Sequence, residues 1–188
     1  MTETAETQSE AVTKEIPDTR GKATGYEVLG TVLHSPGEYG KAKEYHKKAI
    51  AIRKETGDRE GEASSYGNLG TVFHSFGEYG KAKEYLEKAL TINKEIGDRN
   101  GEASSYGDLG TVFHSLEEYG KAQEYHEKAL AIRKEIGDRK GEAADYGNLG
   151  AVFRSLGQYG KAQEYLEKAL RSKKKLATEM EKLPVKET

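Results

Sequence analysis

The sequence predicts an all-α fold, an α-solenoid of four helix-turn-helix repeats. Three observations carry that prediction: a 40-residue internal repeat, apolar residues at three- and four-residue steps within each copy, and a composition too charged for a thick spherical core. Residues 57–96 and 97–136 differ at only eight of forty positions. A further copy spans 137–176 and a worn one 17–56, so 160 of the 188 residues repeat. With 35% hydrophobic and 33% charged residues, the chain suits an elongated stack that buries narrow helix faces.

The elements follow in order. Residues 1–16 set Glu3, Glu6, Glu10 and Glu15 against Lys14 without apolar periodicity, and read as a disordered acidic arm. Repeat one (17–56) is weakened by Gly25, and by Pro36 where its first helix must end, so it reads as a fraying N-terminal cap. In repeat two (57–96), Ala63, Tyr66, Leu69, Gly70 and Phe73 mark a first amphipathic helix. After a tight turn at Gly77, Tyr79, Ala82, Leu86, Ala89 and Ile96 mark a second. Gly57 supplies the left-handed residue that closes the preceding helix, and Asp58 can accept from free N–H groups at the start of the next. Each helix of about 18 residues is roughly 27 Å long. Gly70 and Ala82 fall where the two helices of one hairpin cross, and Ala89 where the next hairpin packs. Repeats three (97–136) and four (137–176) follow the same plan. Glu44/Lys48, Glu84/Lys88, Glu124/Lys128 and Glu164/Lys168 stand at i, i+4 in the favourable order, each worth a few tenths of a kcal/mol. Beyond the basic run Arg171, Lys173, Lys174 and Lys175 come Leu176, Met180 and Leu183 at helical spacing, then Pro184. Residues 177–188 therefore read as a helix extension and tail whose apolar side covers the exposed end of the stack.

A 40-residue period also suits propeller blades, but there is no Trp, no Gly-His or Trp-Asp pair and no two-residue alternation. Instead Tyr66, Leu69-Gly70, Phe73, Ala82, Leu86 and Ala89 resemble the tetratricopeptide repeat signature W-x2-L-G-x2-Y…A-x3-F-x2-A across all four copies. That resemblance implies a right-handed superhelical arc. The family's commonest unit has 34 residues, so six extra residues lengthen the helices around Gly-Asp-Arg. Units of the form GDR-x-GEA-x2-YGNLG-x-V resemble those of the Pins/LGN G-protein-signalling modulators and of tetratricopeptide repeat protein 28-like arrays. Nothing in 171–188 resembles the GoLoco motif of the former.

Chemistry is absent from the pattern. A net charge of −2 points to no nucleic acid partner, and the lack of Cys excludes thiolate metal sites and disulfides. No long apolar run suggests a membrane span or a signal segment, so the expectation is a cytoplasmic protein. His34, His74 and His114 recur one repeat apart. Helices packed 8–10 Å apart cannot bring them within the ~2.1 Å that zinc requires. His46 and His126 occupy the place of Leu86 and Leu166, and read as packing residues. Gly77-Glu-Tyr-Gly80-Lys81-Ala82 lacks the strand and the Ser or Thr of a phosphate loop. Tyr45, Tyr85, Tyr125 and Tyr165 lack a basic groove and read as packing residues rather than base-stacking platforms. No catalytic, cofactor or metal residue is assigned, and no enzyme is expected.

The resemblance implies that the first helix of each hairpin lines a concave face, where Asn one residue before Leu-Gly holds a bound peptide backbone. The matching residues are Asn68, Asp108 and Asn148, with Val28 in repeat one. By helix geometry Thr71 and His74, Thr111 and His114, and Ala151 and Arg154 share that face. His and Arg would favour an acidic segment, more so below about pH 6.5; Asp108 opposes this. The expected role is a scaffold, monomeric or weakly self-associating, that binds a protein or peptide segment. The alternative is a structural spacer, a piece of a longer array in a multidomain signalling protein.

Overall fold

The computed structural model describes residues 19–33 and 38–181, with side chains described as far as residue 178. Among these residues eight helices follow one another and no strand occurs: α1 (Thr19–Val32), α2 (Tyr39–Glu55), α3 (Arg59–Ser75), α4 (Tyr79–Ile96), α5 (Arg99–Ser115), α6 (Tyr119–Ile136), α7 (Arg139–Ser155) and α8 (Tyr159–Glu181). Consecutive helices pair as the predicted helix-turn-helix repeats. The acidic arm, the segment around Pro36 and the tail beyond 181 lie outside the described residues. The chain divides into two compact units, Met1–Gly101 and Glu102–Thr188.

The boundaries are written in local chemistry. Gly57, Gly97 and Gly137 adopt φ of 69–73°, and the next residue, always Asp, closes a six-to-one turn. Asp58 N–H donates to Arg53 O at 2.9 Å and Asp138 N–H to Arg133 O at 2.8 Å. The same Asp then caps the following helix, its carboxylate accepting from Gly61 N at 3.1 Å and from Gly141 N at 2.9 Å. One residue thus ends a helix with its backbone and starts the next with its side chain. The turns inside hairpins repeat the left-handed step at Gly77 (φ 75°) and Gly157 (φ 70°), but in repeat three the step falls on Glu117 at φ 60°.

In the first unit, α3 and α4 meet through Gly70, where an added Cβ would lie 2.7 Å from Leu86 Cγ. The helices cross there because no side chain intervenes. Phe73 stacks on Tyr85 at 5.1 Å between ring centres, and Tyr66 lies 5.9 Å from the same ring. In the second unit Leu130, Leu149, Phe153 and Ala162 form a core flanked by Tyr146 and Tyr165. The tyrosines therefore pack as expected. Lys88 and Lys168 lie 4.7 and 4.5 Å over Tyr85 and Tyr165 while bonding Glu84 and Glu164 at 2.6 Å, and Lys128 bonds Glu124 likewise. Lys48 lies over the Tyr26 and Tyr45 rings.

Residues 177–181 prolong α8 as one continuous helix. Tyr159, Leu166 and Leu170 are 72%, 45% and 67% exposed, while Met180 and Leu183, the residues expected to cover that face, lie outside the described side chains.

Candidate functional site

In each first helix, the residues facing the core and those facing away are sorted by the Leu-Gly pair. Leu69 and Gly70 are buried, and the two neighbours Asn68 and Thr71 are exposed. In the second unit Asp108, Thr111, Asn148 and Arg154 are exposed in the same way, with Ala151 partly so, while His74 and His114 are half-buried. Val28, the counterpart of Asn68 in α1, is 56% exposed. The predicted set thus lies on accessible helix surface.

Its chemistry is narrower than the residue names suggest. Thr71 and Thr111 donate their hydroxyl hydrogens to Gly67 O and Gly107 O at 3.2 and 3.1 Å, leaving only acceptor capacity. The His74 ring lies 5.4 Å from Tyr79 and the His114 ring 5.3 Å from Tyr119. Burial lowers the pKa of both; for His114 the charges of His126 and Arg154 lower it further. The charge expected below about pH 6.5 therefore arrives at lower pH. His114 Nε2 lies 3.0 Å from Ser155 Oγ, which ties α5 to the end of α7.

Behind Asp108 stands a charged cluster that periodicity did not reveal. His126, filling the space at Gly110, is 1% exposed, as is Asp145. Arg133 Nε lies 3.1 Å from Asp145 Oδ2, and His126 Nδ1 lies 3.8 Å from Asp145 Oδ1. His126 Nδ1, Arg133 Nε and Asp145 Oδ2 make no aligned hydrogen bond, so the Arg133–Asp145 attraction is ionic. Although its surface is open, Asp108 is crowded by this cluster. Desolvation pushes its carboxyl up to about 6, Arg133 and His126 pull it down, and Asp145 adds to the rise.

The first unit holds a counterpart around Arg53. It pairs with Glu27 and lies 3.5 Å from Asp58, while Ser65 donates to Glu27 at 2.6 Å. The available signal was the recurrence of Arg at 53 and 133, two repeats apart, with Asn93 and Lys173 between and after. It coincides with the His46/His126 alternation. Among the described residues no three His, Cys, Asp or Glu side chains converge as metal ligands, and no helix is long and apolar enough to cross a membrane.

The comparisons with known proteins agree on the repeat. A tetratricopeptide repeat family model matches residues 21–95, 62–135 and 101–175. Among solved structures, BtubC (BKLC) from P. vanneervenii is 25% identical with a TM-score of 0.77, over 98% of this chain and 76% of that one. MamA is 26% identical with a TM-score of 0.65, over 90% and 87%. A Rap protein complexed with competence and sporulation factor shares the fold at 20% identity and a TM-score of 0.78; 87% of this chain aligns with 46% of that one. No curated protein sequence matches.

Proposed function

Because this chain belongs to the tetratricopeptide repeat family, we propose that it is a non-enzymatic scaffold holding a peptide or helical segment of a partner protein against the exposed face of its first helices. The carrying observation is that Asn68, Asp108 and Asn148 stand solvent-open beside the buried Leu-Gly pair. Packing makes no demand on Asn68 and Asn148 there. An amide both donates and accepts, so it can engage an extended backbone whatever side chains that backbone bears. Within the family, the Gly-Asp-Arg units of 40 residues favour kinship with Pins/LGN proteins and tetratricopeptide repeat protein 28-like arrays. A cytoplasmic signalling setting follows from that kinship. With the histidines held neutral to lower pH, Arg154 is the main support for an acidic ligand.

The test is affinity capture with crosslinking, comparing the native chain with the double variant Asn68→Ala/Asn148→Ala. Loss of the captured partner with unchanged helical circular dichroism is expected. Undiminished capture, or crosslinks confined to the second helices, rejects the reading.

A further inference from the structure

The second helix of repeats one, three and four carries one stripe, covered in two of them and open in the third. In α2 it runs His46, Ile50, Arg53, and in α6 His126, Leu130, Arg133. His46 and His126 are 1% exposed, wedged at Gly30 and Gly110 of their own hairpins, and Ile50 and Leu130 are 7% exposed where α3 or α7 packs on the helix. In α8 the same stripe reads Leu166, Leu170, Lys173; Leu166 packs at Gly150 of its own hairpin yet is 45% exposed, and Leu170 is 67% exposed against 7% for Leu130.

The first helices show the converse. Ser65 and Val72 lie seven residues apart on one stripe of α3, and Ser65 reaches back to Glu27 of α1. Asp145 and Val152 repeat this in α7, with Asp145 reaching Arg133 of α6. Val72 and Val152 are 2% and 1% exposed, whereas Val32 at the same place in α1 is 73% exposed. One half of a repeat junction is therefore open on α8 and the other half on α1.

We propose that the α8 stripe takes the α1 stripe of a second copy of this chain, so that copies join head to tail in the register of the α6–α7 junction. Leu29 and Val32 of the incoming copy would take the places that Leu149 and Val152 hold over α6. Such a contact is heterologous and leaves one open end of each kind, so it propagates rather than closing at a dimer. Charge weakens it. Across α2 and α3, Lys54 faces Glu62 at 3.8 Å; between copies Lys174 would face Lys22, a like pair. The joint is also small beside the ~1,600 Å² of a standard interface, so association belongs near 100 µM rather than in the nanomolar range. It should strengthen with salt, which screens the like charges.

Sedimentation velocity of the full chain from about 10 µM to 1 mM tests this. The average mass should rise above 20.8 kDa with concentration. Val32→Lys and Leu170→Lys, both at exposed positions, should each be monomeric alone, yet form a one-to-one dimer when mixed because each keeps one complementary end. Lys22→Glu should lower the concentration of onset about tenfold. A native chain that stays monomeric throughout overturns the proposal. So does an association that survives Val32→Lys but not Leu170→Lys, the pattern of two α8 faces meeting each other. Failure of the mixed pair to combine would also overturn it, and none of these outcomes bears on capture at Asn68 and Asn148.

Discussion

Asp108 stands where repeats two and four carry Asn, and its carboxyl titrates from a raised pKa. A carboxyl moved from its ordinary 3.8 to about 6 on folding binds more protons folded than unfolded between those values. Its effect on stability is therefore unfavourable above that window and fades as pH falls through it. Asp108→Asn should remove this slope and raise stability at pH 7, by no more than about 1 kcal/mol because its open surface lets solvent screen the charge. Urea denaturation at pH 4.5 and pH 7 measures it; parallel shifts at both pH values would count against the account. Position 108 was legible in the sequence as a difference between near-duplicates at a place without packing demand. The cluster behind it was not. Arg133, His126 and Asp145 come from two other helices, and a period reports which residues share a stripe, not which charges meet across stripes.

At the scale of the element, nearly every boundary was legible because each is fixed by two adjacent residues. Gly-Asp supplies a left-handed step, a closing N–H and a capping carboxylate, none of which needs tertiary context. Repeat three tests how firmly the turn is imposed. Glu117 replaces Gly77 yet keeps φ at 60°, with Glu118 N–H still donating to Phe113 O at 2.9 Å. The hairpin holds a side chain in a conformation that disfavours it by roughly 1 kcal/mol. Glu117→Gly should recover most of that and raise the melting temperature by about 2–4 °C for a chain of this size. Scanning calorimetry reads it directly; an unchanged or lower melting temperature would mean the turn is not strained. The period located this turn but could not say whether the substituted residue would keep or change its backbone angles. Helical spacing beyond Leu176 was legible in the same way, and α8 does run on to Glu181.

On the scale of the molecule, the fold was read from the sequence because each repeat restates the same local solution, and four restatements leave little ambiguity. The buried charges repeat differently. Glu27, Arg53 and Asp58 in one unit and Arg133, Asp138 and Asp145 in the other lie two repeats apart. Between them Asn93 takes the arginine's place and Leu86 the histidine's. A length variant is therefore not neutral merely because it keeps the 40-residue frame. Inserting a second 97–136 after the first would set Ser105 of the new copy where Asp145 should meet Arg133 and His126, leaving a partly buried arginine only the Asp98 that takes the place of Asp138, at a cost of about 1–2 kcal/mol. Inserting a second 97–176 after the first restores every such pair, and adds the stability of two further repeats. Thermal melts should show the two-repeat insertion gaining more per added repeat than the one-repeat insertion, and equal gains per repeat would refute the pairing. Tandem duplication would then leave viable products in steps of two units, and an inheritance counted in single repeats would miscount them.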